Sequence, residues 1–540
     1  MESVSVERLD HLGVVASVIK DLGLIEMIDA RLGLHDQEEI TAGEAVAGMI
    51  LNGLGFSDRP LTLTPQFFAN KPLDLLFHEG VRAEMFNRFK LGRTLDEAYD
   101  YGGDLLCSAL ALSVCLQEYL DTRFNHLDTT SFSLTGDYVP DSDKHAIAIT
   151  YGYSKDYRPD LKQAVLELMV SQAGGVPLMS KSWDGNASDT QIFQERAQGL
   201  IATFQGSPSP RYLVADAKLY NEENAAHLKK LGFITRIPGT LKLVSQVIAQ
   251  ALKWDTWQSL DTTTRYQRLE LCHYGMAQRW LVVGSQASLE RAEASVNKAS
   301  QREAEAIQKQ LFHLQAKRFE TSAQAQEALS VLANKWGYHQ VESYELIDHK
   351  CYAQKGRPSP ETPIKAIAWQ MQAQVRLDAE RLEEAKQHKA CFVLGTNIEA
   401  EQLSDAEVIV GYKGQAHAEG GFRFLKDPLF FVSSLFVKKP CRIQGLLMVM
   451  TLALLVYSVA QRRLRQALAR QNDTIPNQIN QPTSRPTLRW VFQVLEGIER
   501  VRLIVDGQSR DLITGLNEVK IKILRLFGEQ VCHVYQLTSG

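Results

Sequence analysis

The sequence predicts a mixed α/β protein: a sheet partly antiparallel and partly parallel, flanked by helices, with a helical domain ahead of it and an α+β domain inserted into it. Three observations predict this. Residues 1–120 carry apolar residues at three- and four-residue spacing, three β-rich runs follow from residue 124, and short buried strands then alternate with amphipathic helices. A chain of 540 residues also exceeds the roughly 250–300 at which a single hydrophobic core stops growing.

Taken in order, VVASVIKDLGLIEMIDARLG and TAGEAVAGMILNGLGF read as helices, with Thr41 and Glu44 spaced as a capping box. Asp58-Arg59-Pro60 interrupts the pattern, which resumes in LDEAYDYGGDLLCSALALSVCLQEYL. Residues 121–239 open with FNHLDTTSFSLTG, HAIAITYGYSK and QAVLELMVSQAGGVPLMSKSW, separated by Gly136, Asp141, Asp143, Asp156 and Pro159, the signature of an antiparallel meander. DTQIFQERAQGLIATF follows as a helix, with Asn186 and Asp189 placed to cap it; then come a strand in YLVADAKLY, a helix in NEENAAHLKKLG and a strand in FITRIP. Residues 240–389 break that rhythm with β-like pieces (RYQRLELCHYG, RWLVVGSQ, KWGYHQVESYELIDHK) around a polar helical stretch at 288–319, and read as an insertion. Within 390–470, CFVLGTN resumes a buried strand and VIVGYKGQAHAEGGFRFLKD begins a helix. Residues 471–486 are a polar linker rich in Asn and Pro, and 487–540 a small C-terminal segment.

Composition excludes several classes. With 45% hydrophobic and 23% charged residues the chain is neither collagenous nor wholly disordered. Its net charge of −4 hides a polarity: residues 1–110 hold nine Lys/Arg against eighteen Asp/Glu, and 438–540 hold fifteen against seven. The seven cysteines are scattered with no CxxC pair, so neither a disulfide framework nor a zinc site is expected, and a cytoplasmic setting suits them. MESVSVERLD lacks the basic and apolar regions of a signal peptide. The apolar run GLLMVMTLALLVYSVA, 445–460, falls short of the roughly 20 residues that span a bilayer and reads as a buried core helix, so no membrane partner is expected.

Three acids stand where metal-dependent phosphodiester chemistry needs them. Asp128 lies in the first strand, Asp216 at the end of the apolar strand in YLVADAKLY, and Glu419 on a helix far downstream. Carboxyl ends of neighbouring strands meet at one sheet edge, so two strand-borne aspartates can converge across 88 residues of sequence, and a glutamate on a helix packed there can join them. Three such carboxylates can hold two Mg²⁺ ions about 3.5–4 Å apart. An aspartate at a strand end is also a common turn residue. The apolar surroundings of Asp216 weigh against that reading, because an unpaired charge in an interior strand is costly unless a cation meets it. Gln415, Glu419, Arg423 and Lys426 recur at spacings of four, four and three, one face of a helix on which two cations flank the glutamate and suit a phosphate backbone. Surface ion pairing is the plainer alternative.

These residues resemble the DDE transposases of bacterial insertion sequences, which have an RNase H-like catalytic core. The family pattern around its glutamate runs Tyr, two residues, Arg, three residues, Glu, six residues, Lys. Tyr412, Gln415, Glu419 and Lys426 stand at those intervals, with glutamine in place of arginine. GFRFLKDPLF, the helical N-terminal domain and the late apolar run are similar to the branch called insertion-sequence family sixteen-thirty-four, within the insertion-sequence-four group. The resemblance implies Asp128, Asp216 and Glu419 as catalytic and metal-holding residues, with Mg²⁺ or Mn²⁺ as the cofactor. It implies DNA contacts by Tyr412, Gln415 and Lys426, with Lys413 or Arg423 replacing the missing arginine. The β-rich insertion of the family, with a tryptophan that stacks on a flipped base, points to Trp254 or Trp257 ahead of Trp280 and Trp336. The partners implied are inverted repeats and target DNA, bound by a homodimer in the nucleoid, with residues 1–120 serving dimerisation or DNA-end binding. A nuclease or resolvase without strand transfer and an inactive DNA-binding regulator are the alternatives. His417-Ala418-Glu419 matches half of a zinc-deaminase motif, yet Cys441 has no second cysteine after it, and no P-loop, GxSxG or HExxH occurs.

Overall fold

The computed structural model describes residues 3–57, 60–138, 146–207, 209–254, 256–352, 364–427, 437–505 and 508–537, in two units: 1–235 with 401–540, and 236–400. Asp58, Arg59, Asp141, Asp143 and the Pro428-Leu429-Phe430 of GFRFLKDPLF lie outside the described residues. Ser3–Arg8, expected within a helical domain, is a strand, β1. Its period-2 alternation is met by a partner nearly 500 residues away, which no local pattern can reveal.

The first unit holds the mixed sheet. Phe124–Leu134 (β2), Lys162–Ser171 (β3) and Pro177–Trp183 (β4) form an antiparallel meander, and Tyr212–Ala215 (β5) and Gly232–Arg236 (β6) continue it parallel to β2, in the order β4-β3-β2-β5-β6. Helix Asp189–Gln205 joins β4 to β5, and helix Glu222–Leu228 joins β5 to β6. Order and directions are those of the RNase H-like arrangement. The meander does not use the expected runs. HAIAITYGYSK is not a strand: its backbone bonds to the Gln444 side chain, to Asp184 and to Gly185, with only an isolated bridge between Thr150 and Gln163. The long run QAVLELMVSQAGGVPLMSKSW instead supplies two strands. It reverses at Gly174 (φ +94°) and Gly175 (φ +68°), conformations open to glycine and strained for other residues.

Around this sheet one core gathers residues of the N-terminal helices, the meander and the C-terminal segment. Its axis is helix Pro440–Gln471, twice the length of the apolar run that marks it. With 32 residues and a mean hydropathy of 2.0 over its most apolar stretch it is long enough to cross a bilayer, but 89% of that stretch is buried inside the protein. Burial, not shortness, makes it a core helix.

The second unit contains helix Lys242–Leu252, strands Gln258–Ser259 (β7), Thr264–His273 (β8) and Met276–Ser285 (β9), and the 31-residue helix Gln286–Ala316. The hairpin of His339–Tyr352 (β10) and Ile364–Leu377 (β11), helix Ala379–Ala390 and strand Cys391–Thr396 (β12) follow, with β12 antiparallel to β9. Its own core centres on Ile307, Leu314, Leu329, Trp336 and Met371.

The charge polarity of the sequence resolves internally. Cations of the basic C-terminal region pair with acids of the N-terminal one: Arg442 with Asp96 at 2.6 Å, Arg462 with Glu118 at 3.4 Å, and Arg463 with Glu118 at 2.7 Å and Asp21 at 3.0 Å. After the short Ile475–Pro476 (β13) and Pro482–Thr483 (β14), strands Glu499–Val505 (β15) and Gln508–Thr514 (β16) form a sheet with β1. There Arg500, 1% exposed, meets Glu7, Asp74 at 2.6 Å and Asp511 at 3.3 Å, while Arg502 meets Asp511 at 2.7 Å and Asp74 at 2.9 Å. Removing one partner of a buried ion network leaves uncompensated charge and costs about 3–5 kcal/mol. Arg500→Met is therefore expected to lower the melting temperature more than Arg502→Met, whose side chain is 31% exposed. Equal effects in thermal denaturation would show that Arg500 does not anchor this sheet.

Candidate active site

Asp128 sits midway along β2, the central strand of the first unit, and with Ser133 is one of two half-buried positions on a strand otherwise buried along its length. β2 pairs with β5 in register Leu127–Ala215, so Asp128 and Asp216 each follow a paired residue on adjacent parallel strands. Asp216 ends β5 and caps the turn Ala217–Leu219, accepting from the Lys218 backbone N–H at 3.0 Å, while its own carbonyl accepts from Thr235 Oγ1 at 2.9 Å. Asp128 accepts from the Thr129 N–H at 2.7 Å. Burial pushes the Asp128 carboxyl up to about 6; Asp216 and Asp189 add to the push, and Lys155 and the Thr129 N–H oppose it.

Asp189 was expected to cap its helix. Ser188 does so instead, accepting from the Gln191 N–H at 3.2 Å, and Asp189 turns to the acids. Its Oδ1 accepts from Thr129 Oγ1 and lies 3.1 Å from Lys155 Nζ; its Oδ2 lies 3.0 Å from Lys218 Nζ. Burial works against the Asp189 charge, but Lys155, Thr129 and Lys218 together hold its pKa below the usual value. Lys155 also donates to the Thr129 carbonyl at 2.7 Å. Sequence reasoning missed Lys155, Asp189 and Lys218. Their only signal was the crowding of charge at three loops whose convergence depends on the sheet order.

Glu419 stands exposed on helix Ala416–Leu425. A break at Gly414 separates this helix from Asp405–Lys413, so half-buried Tyr412 and exposed Lys413 ride on a different helix from Glu419. Gly411 and Gly414 permit the close seating of this corner on β2: a Cβ on Gly414 would lie 2.7 Å from the His126 ring, and one on Gly411 2.8 Å from Phe124. The four-residue spacing of Gln415, Glu419 and Arg423 does not make a single exposed face. Gln415 is 6% exposed and turned inward, its amide donating to the Leu127 carbonyl at 3.2 Å and its oxygen 3.3 Å from His126 Nδ1. A contact from Gln415 to DNA is incompatible with that burial. Arg423 is exposed, and Lys426 pairs with Asp156 at 2.6 Å and lies over the Phe132 ring at 5.7 Å.

Among the described residues, no three His, Cys, Asp or Glu side chains are gathered closely enough to hold a metal ion. The structure thus brings Asp128 and Asp216 to one edge and seats the Glu419 helix on the same strand through Gln415, without closing a three-carboxylate cage. Asp128 and Asp216 are hard oxygen donors of the kind Mg²⁺ takes, whereas both oxygens of Asp189 are engaged by cations. In the second unit Trp280 is fully buried and Trp336 donates to Gln310 at 3.1 Å, both as core residues. Trp254 is 37% exposed, and Trp257 lies under the Arg265 guanidinium at 4.8 Å beside a cleft of about 600 Å³.

Comparison with known proteins gives likenesses of two kinds, to a family and to solved structures. Residues 4–112, about a fifth of the chain, match a family described as a domain of unknown function, DUF4277. No curated protein matches the chain. Among solved structures the chain is similar to the cryo-EM structure of a piggyBac transposase synaptic complex with hairpin DNA. The identity is 9% and the TM-score 0.35, over 92% of this chain and 82% of that one, and a likeness so distant bears on neither site nor activity.

The raised pKa has a consequence for stability. Between pH about 4 and 6 folded Asp128 keeps a proton that the unfolded chain has released, so stability falls as pH rises through that window and the cost is complete above about 6. Asp128→Asn is therefore expected to raise the melting temperature of the metal-free protein at pH 7.5 by a few degrees, and to leave it unchanged at pH 4. A variant that melts lower at pH 7.5 would contradict the burial of this charge.

Proposed function

We propose that the protein is a metal-dependent DNA transposase of the DDE kind, in the insertion-sequence-four group. The single observation that carries this reading is the placement of Asp128 and Asp216 side by side on adjacent parallel strands of an RNase H-like sheet. Asp128 and Asp216 would hold Mg²⁺, or Mn²⁺ in its place, and Glu419 would complete the set once DNA draws its helix onto the acid edge. A divalent ion so held lowers the pKa of an attacking water and stabilises the leaving oxygen. Asp128 serves only as a carboxylate, so metal binding has to displace the proton that burial favours.

Arg423 and Lys413 are the exposed cations on the Glu419 corner and would lie against transposon-end phosphates, with Tyr412 beside them. Lys426 would reach them by giving up Asp156. Trp254 and Trp257 are the candidates for stacking on a flipped base. The substrates proposed are the inverted repeats of the element and a target duplex. Because two ends are cut in concert, a homodimer in the bacterial nucleoid is the working form. The open arrangement of Glu419 favours one alternative, a DNA-binding regulator that does not cut.

Nicking of a supercoiled plasmid in Mg²⁺ or Mn²⁺ tests the reading. Asp128→Asn, Asp216→Asn and Glu419→Gln are each expected to lower the rate at least 100-fold while duplex binding, followed by fluorescence anisotropy, stays within about threefold. Joined products from a plasmid carrying the element ends would separate a transposase from a nuclease. Binding with no metal-dependent nicking by the wild type would establish the regulator instead.

A further inference from the structure

The connection between β2 and β3 carries three tyrosines in seven residues, Tyr151, Tyr153 and Tyr157, exposed by 58%, 83% and 90%. Exposed aromatics in such number are a loss of apolar burial that an ordinary loop avoids. This loop is nevertheless tied down. Gly152 lies so close to Gly185 that an added Cβ would stand 2.1 Å from its carbonyl oxygen. Gln163, buried beneath, donates to the Tyr153 carbonyl at 3.2 Å and to the Gly185 carbonyl at 2.6 Å. The Lys155 ammonium is held by Thr129 and Asp189, and Asp156 by Lys426. Tyr157 adopts φ +58°, a left-handed conformation costly for a bulky residue, and its N–H donates to the Ser154 carbonyl at 3.3 Å.

We infer that this loop is a stacking platform for unpaired bases of a DNA strand, set against the acid edge by the Lys155–Asp189 and Lys426–Asp156 pairs. The inference rests on the DNA-cleaving reading and names the form of the substrate, a frayed or single-stranded end beside the reacting phosphate. Two features point to bases. The ring faces are open while the backbone beneath them is fixed, so stacking carries no cost of ordering the loop. The loop also carries cations beside the rings, Lys155 paired with Asp189 and Arg158 paired with Asp160, which would meet the adjoining phosphates by exchanging those partners. Base–aromatic stacking is tolerant of sequence, because every base has a π-face. Asp189 is a positioning residue in this scheme, acting through Lys155.

The test uses the full chain and two fluorescein-labelled probes of equal length, a blunt 30-base-pair duplex and the same duplex with a five-nucleotide unpaired end carrying 2-aminopurine. The wild type is expected to bind the frayed probe at least tenfold more tightly and to change the 2-aminopurine emission. Tyr153→Ala with Tyr157→Ala is expected to abolish the preference and the emission change, and Tyr153→Phe with Tyr157→Phe to keep both. Equal binding of the two probes by the wild type, or a preference that survives the alanine pair, would overturn the inference. Plasmid nicking that is lost in Asp128→Asn would meanwhile still support the cleaving reading. A wild type that neither binds nor nicks DNA would remove both.

Discussion

A carboxyl group in the middle of a buried strand has to be met by something, and Asp128 sets that demand for the first unit. Its neighbours on adjoining elements are two more acids, Asp216 and Asp189, so the site begins with an excess of negative charge in a place poor in water. The protein answers in part with its own cations. Lys155 and Lys218 both pair with Asp189 and also offset part of the charge of Asp128, so two cations face three acids and one negative charge is left over. That residue of unbalanced charge, more than any cavity, marks the place where a divalent ion would be welcome.

The same principle governs the larger scale. The acidic N-terminal region and the basic C-terminal one, so suggestive of a DNA-facing tail, meet in part: Arg442, Arg462, Arg463, Arg500 and Arg502 pair with acids among the first 118 residues. Local charge sums state how much charge a region holds and nothing about where it points. Cations that stay exposed, such as Arg423, and not the net charge of a segment, decide what the surface around the site would attract.

The fold class was legible because strand and helix alternation survives in the apolar pattern of β2, β5, β6 and β12. What eluded it has physical causes. HAIAITYGYSK alternates like a strand, but the run after it contains a Gly-Gly reversal and supplies both β3, beside β2, and β4, beside β3. β1 was invisible because its partner lies at the far end of the chain. At the site, the adjacency of Asp128 and Asp216 was legible from acids in apolar surroundings, whereas the approach of Lys155, in a loop, and Asp189, at the start of a helix, was not, since it depends on the sheet order. Gln415 shows the reverse error: helical spacing placed it beside Glu419, and only packing reveals that it faces the strand.

The pairing of β1 with β15 spans almost the whole polypeptide, and the buried Tyr535 hydroxyl donates to the Asp10 carbonyl at 2.6 Å to close the same seam. A ribosome releases Ser3–Arg8 long before Glu499–Val505 exists. The core that joins these segments therefore waits until Glu499–Val505 has been made, and contacts so distant in sequence are slow to form. A chain stopped before residue 499 leaves β1 without its partner and the seam open.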